Sequence, residues 1–278
     1  MTERFVRLNS RFPRKRAFIT GAGSGLGLAV AKALAADGWT LGLFDRNLER
    51  LTTVEAEFAD AGVRLVAYPG DVTQADELTV AINSFAATHD GLDLMINNAG
   101  VAGGGALMEV SLEDWRWIID INVMGVVHGS RAAIPHLQRN GTGLLINVAS
   151  AAAFASAPGM VSYNATKAAV VSISETLVNE LRSAGIQVSI VMPTFFQSGL
   201  LETFRGPDYA RAIANNAVQR SEYSVEDVAR DLLREAADGN VYIVLPRAAR
   251  TMWRWKRWMP LRFLDKVGQF AQQRSPVK

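Results

Sequence analysis

Tyr163 and Lys167, four positions apart, could carry proton chemistry. A phenol ordinarily has a pKa of about 10 and is a poor acid or base at neutral pH. A fixed ammonium nearby favours the phenolate and lowers that pKa. This would make the tyrosine a proton-transfer group. Four-residue spacing puts the two side chains on one face of a helix. The segment that follows, AAVVSISETLVNELRSAG, supports a helix, with Ala168, Val171, Leu177, Val178 and Leu181 giving most of an apolar stripe. Taken alone, the pair also fits a solvated helix face.

The elements that would position the pair begin upstream. Ala17–Thr20 is a short apolar strand, and GAGSGLG, Gly21 to Gly27, is the turn that follows it. LAVAKALAADG then reads as a helix closed by Gly38. Glycines permit positive φ and let backbone N–H groups approach a pyrophosphate at a helix N-terminus. The spacing G-x-G-x-x-G does not fit, because Leu26 holds the place of the third glycine. T-G-x-x-x-G-x-G does fit, through Thr20, Gly21, Gly25 and Gly27, with Gly23 and Ser24 inside the turn.

Further strands alternate with helices. Thr40–Phe44 ends in Asp45, which could bind the adenosine ribose hydroxyls and favour NAD. Asp45 as a turn or helix-start residue is the less favoured reading, and the adjacent Arg46 could instead accept the 2′-phosphate of NADP. Val63–Tyr68 leads to Gly70, Asp71 and Val72, with Asp71 near an adenine ring or capping the next helix. Leu92–Ile96 closes on Asn97, Asn98, Ala99 and Gly100, at the carboxyl end of a strand where open α/β sheets bind ligands. Residues 111–137 read as one long helix opened by Ser111 and Asp114. Asn122 inside it is mildly unfavourable and calls for a packing hydrogen bond or a polar site. Gly143–Val148 leads to Ala149 and Ser150, Ile186–Val191 leads to Met192, Pro193 and Thr194, and Val241–Leu245 is a seventh strand. This order predicts an α/β fold with one doubly wound seven-stranded parallel sheet, flanked by helices, over residues 17–246.

Composition excludes several chemistries. The 278 residues contain no cysteine, so disulfides, thiolate metal sites and a cysteine nucleophile are out. The three histidines have no metal-ligand spacing, and no metal is expected. No apolar run is long enough to span a bilayer, and no apolar stretch follows the first arginines as a secretory signal requires. An intracellular, cytoplasmic protein is expected. The net charge of +2 is unevenly spread. Residues 1–16 carry six basic residues and one acid, and residues 247–278 carry nine basic residues and one acid. The stretch between has 14 basic against 25 acidic residues, a net −11. Basic ends point to anionic partners, to solubility, or to docking on the chain's own acidic surface. Residues 1–16 lack period and read as a loose basic arm.

Four signals stand in one order: TGAGSGLG at 20–27, NNAG at 97–100, Ser150 thirteen residues before Tyr163, and YNATK at 163–167. Together they resemble the short-chain dehydrogenase/reductase family, with its Rossmann fold, over roughly residues 17–246. The resemblance implies NAD(P)-dependent interconversion of a secondary alcohol and a ketone. It implies Tyr163 as acid/base and Ser150 as the hydrogen-bond partner of the substrate oxygen. Lys167 would lower the Tyr163 pKa and bind the nicotinamide ribose, and Asn122 would support a water relay behind it. Cofactor contacts would come from Thr20, Gly21, Gly23, Ser24, Gly25, Leu26 and Gly27 at the turn and from Asp45, Arg46, Asp71 and Val72 around the adenosine. Asn98, Ala99 and Gly100, with Tyr163 and Lys167, would add to them, as would Pro193, Thr194, Phe196 and Ser198 after the sixth strand. Two positions depart from the family's pattern: Thr194 follows Pro193 where a glycine is usual, and Ser198 replaces a threonine while keeping a hydroxyl. The cofactor expected is NAD, with NADP the alternative, and the assembly a homodimer or homotetramer through helices 111–137 and 163–183. A cofactor-binding sensor or scaffold on the same fold is the competing function.

Phe154, Met160 and Phe195 are the expected substrate-pocket residues, with 199–222 as a variable segment, and they imply a hydrophobic, lipid- or steroid-like substrate. The aromatics could instead belong to the core or a subunit contact. The extension at 247–278 interleaves Trp253, Trp255 and Trp258 with Arg254, Lys256 and Arg257. That composition suits packing on the sheet edge or a partner subunit, or peripheral contact with a membrane or lipid substrate. Nucleic acid is the least favoured partner.

Overall fold

Seven apolar runs become strands: β1 Arg16–Thr20, β2 Thr40–Asp45, β3 Leu65–Pro69, β4 Leu94–Asn97, β5 Gly143–Val148, β6 Ile186–Pro193 and β7 Tyr242–Leu245. A computed structural model describes residues 5–274, with side chains as far as residue 270. All neighbouring strands are parallel, in the order β3-β2-β1-β4-β5-β6-β7. The chain builds outward from β1 to β3, then returns to lay β4 on the other side of β1. Loops after β1 and β4 therefore diverge at one point, and the crevice between them is where such sheets bind ligands. β1, β4 and β5 are buried along their whole length, which explains their nearly unbroken apolar runs.

Helices cover both faces. On one lie α1 Val6–Arg11, α2 Gly25–Ala36, α3 Leu48–Asp60 and α10 Val225–Ala237, whose Leu8, Leu34, Leu51 and Leu232 enter one core. On the other lie α4 Ala75–Thr88, α5 Leu112–Ile119, α6 Gly125–Arg139 and α8 Val161–Glu180, with Phe85, Ile118, Leu137 and Tyr163 in a second core. A third cluster joins the short α7 Ala152–Ala155 and α8 to the C-terminal pair α11 Ala249–Trp258 and α12 Pro260–Arg274. The remaining helix, α9 Asp208–Gln219, lies in the segment after β6.

Two expectations need correction. The described part of the N-terminal arm is not loose. Phe5, Leu8 and Phe12 are buried at helical spacing, a period hidden among the arginines. Asn9 donates to Asp37 at 3.0 Å and accepts from Trp39 Nε1 at 2.9 Å. Arg11 reaches the carbonyls of Ala236 and Ala237 at the end of α10, and Arg7 pairs with Asp238. The basic charge thus docks on the chain's own surface, at a helix C-terminus that favours cations. The long helix at 111–137 is also interrupted. Ser111 caps α5 by accepting from Asp114 N–H at 3.0 Å, as its spacing predicts, but Asp120–Met124 form a π-helical turn before α6 begins.

Candidate active site

The π turn exists where Asn122 must face inward. A π turn adds a residue to the helical repeat and rotates one side chain out of the regular pattern. Asn122 is completely buried. Its Oδ1 accepts from Val101 N–H at 2.8 Å, and its Nδ2 donates to the Val101 carbonyl at 3.0 Å and to Thr166 Oγ1 at 3.2 Å. The loop after β4 is thereby tied to α5–α6 and to α8.

α8 presents Tyr163 and Lys167 side by side, both buried. The Lys167 ammonium lies 5.8 Å from the Tyr163 ring centroid and donates to the Val148 carbonyl at 3.0 Å. Burial disfavours both charged forms. It pushes Tyr163 up to about 12, with a hydrogen bond from Ser150 pulling weakly the other way, and it draws Lys167 down to about 8. Desolvation is the larger cause of the tyrosine's shift and sets its direction. Ser150 is half-buried at the end of β5, where its Oγ accepts from Ala152 N–H at 3.1 Å.

A ladder of amides sets how α8 sits on the sheet. Asn97 Nδ2 donates to Asn147 Oδ1 at 2.8 Å, and Asn147 Nδ2 donates to Ser174 Oγ at 2.9 Å. Asn97 and Asn147 are register partners on β4 and β5, and Ser174 lies two turns beyond Lys167. Asn147 was not singled out from the sequence; nothing marks a lone asparagine in an apolar strand until its neighbours are known.

Most of the expected cofactor residues line one cleft of about 270 Å³ at the carboxyl ends of β1, β4 and β5. Gly21, Ser24, Gly25 and Leu26 line it from the first turn, and Asp45, Arg46, Asp71 and Val72 from the strands beyond. Asn98, Ala99 and Gly100 form its middle, and Tyr163, Lys167, Pro193, Phe196 and Ser198 complete it. Thr20, Gly23, Gly27 and Thr194 sit behind the lining and shape it. Thr20 Oγ1 accepts the N–H groups of Asn98 and Ala99 at 3.0 and 3.1 Å, and Asn98 Nδ2 donates back to the carbonyls of Thr20 and Gly21. A Cβ on Gly27 would stand 2.1 Å from the Gly21 carbonyl oxygen, so this contact admits only glycine. Thr194 N–H is held by the Leu245 carbonyl at 2.8 Å.

The cleft suits a dinucleotide. Ser24 makes no side-chain cap to α2, so the first amides of that helix are left for another acceptor. Gly25 has φ +53°, and a Cβ there would find nothing closer than 3.8 Å, an open cradle beside the helix start. Asp45 Oδ2 accepts from Gly23 N–H and Oδ1 from Asn47 N–H, each at 2.9 Å, which fixes the carboxylate in the cleft at the end of β2.

A sequence model described as short chain dehydrogenase matches residues 15–207. The chain belongs to the short-chain dehydrogenase/reductase family. An uncharacterised oxidoreductase of Staphylococcus aureus (strain MRSA252) is 34% identical over 194 residues, 70% of this chain and 83% of that one. A short-chain dehydrogenase/reductase from Burkholderia phymatum, solved in complex with NAD, superposes with a TM-score of 0.82 at 30% identity, covering 95% of this chain and 96% of that one. An alcohol dehydrogenase from Thermococcus sibiricus, solved with 5-hydroxy-NADP, gives 0.72 at 26% identity, covering 83% and 95%. This short-chain dehydrogenase/reductase is therefore an oxidoreductase of a family that binds NAD or NADP, and its sheet is the family's.

None of the three expected substrate-pocket residues lines the cleft. Phe154 is buried in the third core, among Val170, Met192 and Phe263, because α7 turns it away from the cleft. Phe195 is exposed, and only its carbonyl is used, accepting from Ser221 Oγ at 2.8 Å. Met160 is half-buried against the cluster that holds Tyr163 and Phe204. Sequence reasoning missed Arg50 and Glu202, which both line the cleft. Arg50 donates to Ser24 Oγ at 3.2 Å and pairs with Glu202 at 2.5 Å, joining α3 to the segment after β6. Residues 152 positions apart leave no local signal of such a contact.

Proposed function

We propose that this protein interconverts a secondary alcohol and a ketone, with Tyr163 as the proton-transfer group and NAD as the preferred cofactor. The observation that carries this reading is the burial of Tyr163 beside Lys167 at the inner end of the cleft, next to the strand end that bears Ser150. A bound nicotinamide supplies the hydride transfer. Tyr163, raised to about 12, is protonated at neutral pH, the state a proton donor to a nascent alkoxide requires. In the oxidation direction the same oxygen receives the alcohol proton. Ser150 holds the substrate oxygen, and Lys167, at about 8 and still largely cationic at neutral pH, binds ribose hydroxyls and favours the phenolate as it forms. Asn122 supports the water relay behind Lys167. Gly100 lets this group close up, since a Cβ there would stand 3.1 Å from Asn122 Oδ1 and 3.3 Å from Lys167 Nζ.

The preference for NAD rests on Asp45. Its carboxylate is fixed at the adenosine end, where it can accept from ribose hydroxyls and would repel a 2′-phosphate. Arg46 is exposed at the cleft rim, and Arg50 is engaged by Glu202. The substrate is proposed to be hydrophobic. Met160, Leu200, Leu201 and Phe204 pack in the cluster that holds Tyr163. Two arginines of the segment after β6 are engaged, Arg205 by Asp114 and the face of Trp117, Arg211 by the Phe204 carbonyl. A cytoplasmic homodimer or homotetramer is part of the same reading, with Ile119 and Met124 exposed on the helical run proposed to pair. The test is turnover of a panel of hydrophobic secondary alcohols and ketones with NAD(H) and NADP(H). Turnover of hydrophobic members with NAD supports the reading, and cofactor binding without any turnover would favour a sensor.

A further inference from the structure

The three tryptophans of α11 have separate fates. Trp253 packs on Tyr242, ring centroids 5.0 Å apart, with Arg257 4.9 Å above it. Trp255 meets Phe263 edge-on at 5.4 Å, and Phe263 is 1% exposed in the third core. These contacts fasten both C-terminal helices to the domain. Trp258 is not used in this way: it is 85% exposed, at the corner where α11 turns into α12. Met259 and Leu261 are exposed beside it, and Leu264 one turn further on. The exposed charges around them are Arg254, Arg257, Arg262 and Lys266 against the lone acid Asp265.

We infer that this corner docks the protein on an anionic lipid surface. Tryptophan favours the headgroup level of a bilayer, and an amphipathic helix with basic residues beside its apolar row lies in that plane. Each Lys or Arg near an anionic surface strengthens the attachment, and here four flank the apolar tip. A second copy of the chain fits the corner less well. The exposed apolar side chains of the two helices, Met252 and Phe270 included, stand among four exposed basic residues that would repel the same charges on a second copy. Among the described residues no helix is long and apolar enough to cross a membrane, so the contact is with the surface. It does not depend on turnover.

Co-sedimentation of the full chain with phosphatidylcholine vesicles, with and without phosphatidylglycerol, tests it. The expected result is binding to the anionic vesicles, at least tenfold weaker on phosphatidylcholine alone. Trp258→Ala combined with Leu261→Ala, and separately Arg262→Glu combined with Lys266→Glu, should each weaken binding about tenfold or more. Both pairs should keep the wild-type melting temperature and NAD binding, because all four side chains are exposed. Equal or absent binding to the two vesicle types would overturn the inference, as would variants that bind like wild type. So would a vesicle-free dimer in sedimentation velocity that the Trp258→Ala, Leu261→Ala variant dissociates.

Discussion

Asn122 satisfies both main-chain polar groups of Val101, accepting from its N–H and donating to its carbonyl from within a π-helical turn. The side chain thus holds the loop that follows the NNAG motif as a strand partner would.

Asn122→Ala should destabilise the protein by about 2–6 kcal/mol, since it leaves two buried backbone groups unpaired at about 1–3 kcal/mol each. Urea unfolding checks this. NAD affinity should fall with it, because Gly100 adjoins the loop so held. A variant as stable as wild type would mean that the loop holds its shape without the amide.

Gly27→Ala should abolish tight NAD binding. The added methyl would collide with the Gly21 carbonyl and with Asn98 Nδ2, 2.1 and 2.6 Å away, and force the turn open. Isothermal titration should register an affinity loss of about tenfold or more, a shift of about 1.4 kcal/mol. Gly268→Ala, with no atom within 4 Å of the added carbon, should bind NAD normally.

Asp45→Asn should narrow the preference for NAD. The amide can still accept from Gly23 N–H, so the turn keeps its shape, but the charge that opposes a 2′-phosphate is gone. The ratio of kcat/KM for NAD over NADP is predicted to drop about tenfold, through improved use of NADP. An unchanged ratio would place the discrimination elsewhere, Arg46 first.

Stability should depend on pH through the buried pair. Lys167 titrates at about 8 when folded against an ordinary 10.5, so between these values the unfolded chain binds more protons and stability rises with pH. Tyr163 titrates at about 12 against 10.0, so stability falls as pH climbs through that higher window. Lys167→Met should remove the rise between about pH 8 and 10.5, read as the difference in urea midpoint between variant and wild type. A parallel pH dependence in the two proteins would contradict the burial of the ammonium.

The fold was legible because the strands of a parallel sheet are buried on both sides and read as apolar runs, and because glycine turns punctuate them. The positions of Tyr163, Lys167 and the glycine turn followed from short-range spacing, and the structure brings them to one cleft. What spacing could not convey was balance. The same helix that pairs Tyr163 with Lys167 also buries them, and desolvation decides both pKa values. Nor could it convey facing. Phe154 and Phe195 belong to the right segments but point into the core and into solvent, an orientation set by the short α7 and by the loop after β6. The basic arm hid a helix because Phe5, Leu8 and Phe12 stand among six basic residues, whose charges draw the eye from the period beneath.

The most direct test is Tyr163→Phe, assayed with the secondary alcohol that the wild type oxidises fastest with NAD. The phenyl ring preserves the packing of the second core and removes only the hydroxyl. NAD affinity should stay within about twofold, because the turn, Asp45 and Lys167 are untouched, while kcat should fall by about 10²–10⁴. Turnover close to wild type in a variant that binds NAD normally would contradict the assignment of Tyr163 as the proton-transfer group.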